Sequence, residues 1–423
     1  MIAGGGLGGL ALANALVDHS DLVAVKVAER DAHEKGYRPQ GYRIGLDSEG
    51  LAALDGCGLS KERLEGAGLD SEALSKVKVA DAGDLSVLLG FPASGGGIVS
   101  RWLLHETLRE RVGHCISYDK KLQRFEQHGE RVTAYFHDGT EMEADLLVGA
   151  DGLNSAVRGQ WAPSLQVQDS GVTGLAGDLD VAELVASGVR VDGLLALSEG
   201  SLVRLLGPGG YSWLLLRYTD EETSRDHLLW CLNHTVDSPA DDYQGPREQW
   251  LEYAVEAASF EGGGHPELRT LVQATALEKL LPPRHQTHLL AAAVRANPFE
   301  KAAVSQPRVC LLGDAAHAMT THRGLGANTA FMDARDLSAV ILELARRHAA
   351  QTPLSSDAVR QLLTPYHALC SNRGADRIAG SLSSTHSMHV KSKWARAGMK
   401  LFMRIINLGI CLFLFFRRLF FRH

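Results

Sequence analysis

Two rhythms of apolar positions run along this chain. The opening "MIAGGGLGGLALANAL" begins with an apolar strand, Met1–Ala3, turns through Gly4–Gly9 and starts a helix at Leu10–Leu16. "VAVKVAERD" (23–31) then alternates apolar and polar, a second strand ending at Glu29. Further on, Val132–His137 alternates, Asp138-Gly139 supplies a hairpin turn, and Asp145–Gly149 forms an apolar strand ending in Ala150-Asp151-Gly152. Near residue 310, Val309–Leu312 reads as a buried strand leading into Gly313-Asp314, and a long helix begins near Gly326–Asn328. Strands separated by helices predict an α/β class.

The stretch between 165 and 295 behaves differently. "LLALS", "SLVRLLG", "YSWLLLRY", "HLLWCLN" and "HLLAAAV" read as strands, with Gly207–Gly210 as a hairpin connection. Their partial alternation predicts a mostly antiparallel sheet with one face covered. Trp213, Leu215, Arg217 and Trp230 stand open between two roles, ordinary core or surface on the one hand and the lining of a ligand site on the other.

Length and composition narrow the choice. A chain of 423 residues can bury a large core in two domains or one composite one. Residues 391–423 carry eight Lys/Arg and no Asp/Glu, which leaves the remainder at −15 while the whole chain is −7. With no basic stripe before that tail, nucleic acid is not an expected partner. Six scattered cysteines without a C-x-x-C pair predict reduced thiols in a cytoplasmic protein, with neither a disulfide framework nor a metal site. A secretory signal is not expected, because the first motif begins at residue 4. Only three residues precede that motif, short for a central strand, which raises the expectation of a truncated start.

The chemistry lies in the glycine-rich turns. Gly4, Gly6 and Gly9 fit G-x-G-x-x-G, whose glycines permit a tight turn, close approach to a pyrophosphate and close helix packing. Glu29, twenty residues beyond Gly9, is placed to accept hydrogen bonds from ribose hydroxyls. "SGGGI" (94–98), "GPGG" (207–210) and "GGG" (262–264) lack that context and read as loops. Asp151 lies at a strand's carboxyl end, where open α/β sheets place ligands; capping the next helix is the other role open to it. Arg158, on that helix, is a candidate source of positive charge for phosphates.

Three motifs in this order, the glycine turn, "GADGLNSAVR" and "GDAAH…RGLGAN…D", resemble the single-component FAD monooxygenases of the para-hydroxybenzoate and salicylate hydroxylase type. "GYRIGLDSEGLAAL" (41–54) resembles the branch found in fungal secondary metabolism. The resemblance implies a Rossmann-like FAD-binding domain, an inserted sheet domain that roofs the flavin, and C-terminal helices. The expected layout is FAD-binding segments at 1–60, 95–164 and 291–350, an excursion at 61–94, and a substrate domain at 165–290. A helical region at 351–399 and a tail at 400–423 complete it.

By the same resemblance Gly4, Gly6, Gly9 and Glu29 hold the ADP part of FAD, and Asp314 the ribityl chain. Gly326, Ala327 and Asn328 lie beside the pyrimidine ring. Arg43 and Arg101 contact the cofactor, and Asp151 serves FAD and NAD(P)H. The implied reaction uses NAD(P)H and O2, forms a C4a-hydroperoxyflavin, and hydroxylates or epoxidises a lipophilic aromatic or alkene-bearing molecule. A flavin oxidase or reductase, or a non-catalytic flavoprotein, are the alternatives. His322 and Arg217 are the weak catalytic candidates, and His317 fits a structural role better than an acid–base one. Ala318 and Thr321 stand where the family places prolines, which predicts a more adaptable loop. "YSWLLLRY" lacks the W-x-W-x-I-P of flavin halogenases, and no paired carboxylates or nucleophile elbow support hydrolysis.

The tail "KLFMRIINLGICLFLFFRRLFFRH" (400–423) holds twelve uncharged residues, Ile405–Phe416, between arginines. As a helix that run spans ~18 Å, against ~30 Å of bilayer core. Two placements stand open: peripheral contact with a membrane surface, or packing on the protein itself or on a partner subunit. The chain is expected to be a monomer or homodimer.

Overall fold

The computed structural model describes residues 1–32, 43–73, 75–93, 95–220, 223–236, 245–259, 264–350 and 355–420, with side chains as far as Ile410. Ser94 of "SGGGI" and Gly262 and Gly263 of "GGG" lie outside the described residues, as does the start of "GYRIGLDSEGLAAL".

The chain divides into two compact units. The first comprises Met1–Leu69, Val99–Gln168 and Thr287–Leu382. At its centre is a five-stranded parallel sheet in the order Val309–Leu311, Leu147–Gly149, Ile2–Ala3, Val27–Ala28, Ile116–Ser117. Its strands are short, and those beside the centre are buried throughout, as expected where helices cover both faces. The helix Leu7–Val17 lies against the helices Gly326–Ala350 and Arg101–Val112. Asn14 ties it to the latter by donating to the carbonyl oxygens of Leu10 at 2.8 Å and Leu108 at 2.7 Å. The expected Asp138-Gly139 hairpin joins Arg131–Phe136 to Glu141–Ala144, with Gly139 at φ 82°.

The second unit comprises Asp70–Ile98, Asp169–Gln286 and Ser383–His423. Its seven-stranded sheet runs in the order Leu280–Leu289, Val167–Asp180, Asp226–Thr235, Ser212–Thr219, Ser201–Leu206, Lys76–Asp81, Val87–Pro92. Pairing is antiparallel where the register is defined, except for the parallel pair Ser201–Leu206 with Lys76–Asp81. One face buries Trp213, Leu215, Trp230 and Leu232 against the helices Arg247–Ser259 and Pro266–Gln273.

Two expectations for this region fail. "LLALS" is helical, within Asp192–Ser198. Leu194 and Leu197, three apart, share its buried side, so the apolar run follows the helical period. "HLLAAAV" is split: the strand ends at Leu289 and a short helix, Ala291–Arg295, follows, in keeping with the helix preference of its three alanines.

None of the five described cysteines is in a disulfide. Among the described residues no helix is long and apolar enough to cross a membrane.

Candidate functional site

The first unit brings the sequence motifs to one edge of its sheet. Gly4 follows the strand Ile2–Ala3, Glu29 follows Val27–Ala28, Asp151 follows Leu147–Gly149 after one residue, and Asp314 follows Val309–Leu311 after two. These four strands are neighbours and all parallel, so the motifs leave from the same carboxyl edge. Open α/β sheets bind their ligands there.

The glycine turn is shaped by what a side chain would strike. Gly4 has φ +111°, and a Cβ on it would lie 2.3 Å from the carbonyl oxygen of Ala150. At Gly9 a Cβ would lie 2.1 Å from the Gly4 carbonyl oxygen. That closeness lets the helix start directly over the strand. Gly6 is the N-cap of Leu7–Val17 and supplies no side-chain acceptor, so the first N–H groups of that helix have no capping side chain. Glu29 accepts from the Gly5 N–H through Oε2 at 2.6 Å and from the Asp31 N–H through Oε1 at 2.9 Å. Each carboxylate oxygen keeps a lone pair for a further donor.

His105, which sequence reasoning missed, supports the same turn: its Nε2 lies 2.9 Å from the Gly5 carbonyl oxygen. Burial lowers its pKa, so the neutral ring is favoured. Its only sequence signal is its place one helical turn after Arg101.

Asp151 takes the capping role. Its Oδ2 accepts from the N–H groups of Ala156 at 2.7 Å and Val157 at 3.2 Å, which caps the helix Ala156–Trp161. Its Oδ1 is buried without a hydrogen-bond partner, an orphan acceptor at the carboxyl edge of the sheet. Arg158 is held by the protein itself. It donates to the carbonyl oxygens of Leu153 at 2.6 Å and Ala315 at 3.1 Å, so its guanidinium clamps two loops together.

Asp314 is reached by solvent yet crowded by protein. That crowding pushes its pKa upward, opposed by the positive charges of His317, Arg101 and Arg158. Arg101, 213 residues away in sequence, thus lies close enough for its charge to act on the Asp314 carboxylate. The helix Gly326–Ala350 starts beside it: a Cβ added at Gly326 would lie 3.8 Å from Asp314 Oδ1. The N–H groups of Gly326, Ala327 and Asn328 are in its first turn, where no intrahelical acceptor exists. The Asn328 side chain is used within the protein. It donates to the Gly45 carbonyl oxygen at 3.0 Å and accepts from the Asp47 N–H at 3.1 Å. Arg43 opens the strand Arg43–Leu46 that Asn328 holds.

His317 is structural. Its ring meets Asp333 at 2.5 Å in a fully buried pair. Burial opposes the charged ring, but the Asp333 carboxylate outweighs it and raises the His317 pKa. His317, Asp333 and Cys370 converge within 4.8 Å, but Arg373 already neutralises the carboxylate, which makes this an ion-pair network. His322 is buried in the turn Thr321–Arg323 and engaged within the protein.

In the second unit Arg217 is paired with Asp226, Nε to Oδ2 at 2.7 Å. Trp213, Leu215 and Trp230 take the core role, on the helix-covered face. The opposite face carries Arg204, Leu214, Leu216, Tyr218 and Cys231 by strand alternation. Burial lowers the pKa of Arg204 to about 10.

A family model described as FAD binding domain matches residues 1–208 and 266–376. The chain belongs to this family. It is 27% identical over 406 residues to the FAD-dependent monooxygenase thnD of Trichoderma harzianum, covering 93% of this chain and 94% of that protein. It is 26% identical over 353 residues to the salicylate hydroxylase of Pseudomonas putida, covering 80% and 75%. The structure of Klebsiella pneumoniae HpxO complexed with FAD and uric acid superposes with a TM-score of 0.72 at 21% identity, covering 97% of this chain and 96% of that one. The chain is thus a member of the FAD-dependent monooxygenases, and its fold is that of the hydroxylase group.

Proposed function

We propose that this chain is an NAD(P)H- and O2-dependent FAD monooxygenase that hydroxylates or epoxidises a lipophilic aromatic or alkene-bearing small molecule in secondary metabolism. One observation carries the reading: the glycine turn, Glu29, Asp151 and Asp314 leave four adjacent parallel strands at one edge. The residues there fit FAD. A glycine turn without side chains, an uncapped helix start and the orphan Asp151 Oδ1 form a cradle for a long nucleotide.

FAD, when bound, supplies hydride acceptance and oxygen activation. The chain's own groups do the rest. The N–H groups after Gly6 bind pyrophosphate, Glu29 accepts from ribose hydroxyls, and Asp314 accepts from the ribityl chain. The positive end of the helix Gly326–Ala350 favours negative charge on the pyrimidine side of the ring. The same reading gives the tail, residues 400–423, a peripheral place at a membrane surface, where a lipophilic substrate concentrates.

The test is turnover by the FAD-loaded protein with a panel of phenols, indoles and terpenoids. Substrate-stimulated NADPH oxidation with a product one oxygen atom heavier supports the reading. NADPH oxidation that yields only hydrogen peroxide assigns a flavin oxidase or reductase instead. Ala318 and Thr321, in place of prolines, are the residues that favour this second outcome.

A further inference from the structure

The helix Lys393–Phe420 has two faces with different uses. Its inner face is held by the second unit. Arg396 donates to the Gly207 carbonyl oxygen at 3.2 Å, Lys400 pairs with Asp81, and Arg404 reaches Ser86 Oγ at 3.2 Å. The Gly90 N–H donates to Asn407 Oδ1 at 3.0 Å, and Met399 and Met403 pack against Val79, Leu88 and Leu206. The helix thereby covers Val87–Pro92, the last strand of the sheet.

The outer face is apolar and open. Trp394 is 89% exposed, Phe402 62%, and Leu401, Ile405 and Leu408 61% each. Positions 394, 401, 405 and 408 fall on one helical stripe. Because the inner face is pinned at several points, this stripe cannot turn inward. Contiguous exposed apolar surface of this kind marks an interaction site.

We propose that this stripe docks on an anionic lipid surface, the helix lying in the plane of the membrane. The proposal rests on the peripheral placement of the tail and on none of the flavin chemistry. Charge selects the occupant. Residues 391–423 contain eight Lys/Arg and no acidic residue. Asp81, which pairs with Lys400, and Asp84 in the turn that follows it, on which Arg404 and Lys400 act electrostatically, offset part of that charge. Lys393 remains exposed, and Arg417, Arg418 and Arg422 follow in the sequence. A second copy of the chain would bring the same positive charge against it, whereas phosphatidylserine headgroups complement it. A tryptophan and a phenylalanine among aliphatic side chains, flanked by cations, suit the headgroup boundary.

The full-length protein is sedimented with vesicles of phosphatidylcholine alone and of phosphatidylcholine with about one third phosphatidylserine, without NADPH or substrate. Binding is expected to the anionic vesicles, about tenfold weaker at high salt or on phosphatidylcholine alone. The variant L401S/F402S/I405S is expected to lose about tenfold in vesicle affinity with an unchanged melting temperature, since the three side chains are solvent-exposed. As a readout without disruption, tryptophan emission shifts to the blue on vesicles and W394F loses that shift. Protein left in the supernatant with every vesicle overturns the proposal, as does equal binding to phosphatidylcholine. A concentration-dependent dimer abolished by the triple variant, without vesicle binding, also overturns it and assigns the stripe to a second copy.

Discussion

His317 and Asp333 form a fully buried pair, Nε2 to Oδ2 at 2.5 Å, immediately behind the loop that carries Asp314. The same carboxylate accepts from the Gly313 N–H at 3.0 Å and from Arg373 at 2.9 Å. A single side chain therefore fixes the backbone one residue before the proposed ribityl contact. Removing one partner of a buried pair costs about 3 kcal/mol or more. His317→Asn is expected to lower unfolding free energy by about that amount in urea titrations and to weaken FAD retention.

This pair also sets a pH signature. The His317 pKa is raised from 6.5 by Asp333 against the opposing effect of burial, so its contribution is complete below 6.5 and fades as pH climbs through the raised value. The Asp333 pKa is lowered from 3.8 by His317 and Arg373, again against burial, so its contribution fades as pH falls through the lowered value. The stability gap between wild type and His317→Asn is expected to be widest between 3.8 and 6.5 and to narrow on both sides. Melting temperatures of the two proteins across pH check this; a gap independent of pH would contradict it.

Glu29 meets the Gly5 N–H at 2.6 Å. Hydrogen bonds to charged groups contribute about 1.5–3 kcal/mol, so Glu29→Ala is expected to raise the FAD dissociation constant about 10- to 100-fold. Quenching of flavin fluorescence measures it. An unchanged constant would remove Glu29 from the cofactor site.

Gly9→Ala places a methyl group 2.1 Å from the Gly4 carbonyl oxygen, a contact that backbone must move to relieve. Overpacking of this kind costs about 1–3 kcal/mol. The variant is expected to unfold earlier in urea and to purify without flavin colour.

Thr321 is the first residue of the turn Thr321–Arg323, and Thr320 before it is extended at φ −64°, ψ 151°. Both conformations suit a proline at 321. Ala318, the other position where the family has proline, already sits at φ −48°, ψ 134°. The loop thus keeps a proline-like path without the rings.

Much of the first unit was legible in the sequence because its demands fall on the backbone. Gly4 and Gly9 are glycines since nothing larger fits, and Glu29 and Asp314 follow strands whose apolar runs are plain. What escaped notice depends on pairing across long separations. Asp333 with Arg373, His105 with Gly5, and Arg158 with Ala315 leave no local pattern. In the second unit, "YSWLLLRY" shows a strand but not which face is covered, because several of its positions are apolar on both sides. Register alone put Trp213 beneath helices and Arg204 on the opposite face. The tail's composition showed cations and apolar residues, but whether the helix would hold to its own sheet edge required Asp81 and Gly90, some three hundred residues earlier.

The most direct test of the central claim is calorimetric titration of the cofactor-stripped chain with FAD, run on wild type, Glu29→Ala and Asp314→Ala. Binding of one FAD per chain, weakened by either substitution, is the expected result, because the carboxyl edge of the sheet carries both side chains. A wild-type chain that releases no heat with FAD and gains no flavin absorbance, while remaining folded, would contradict it.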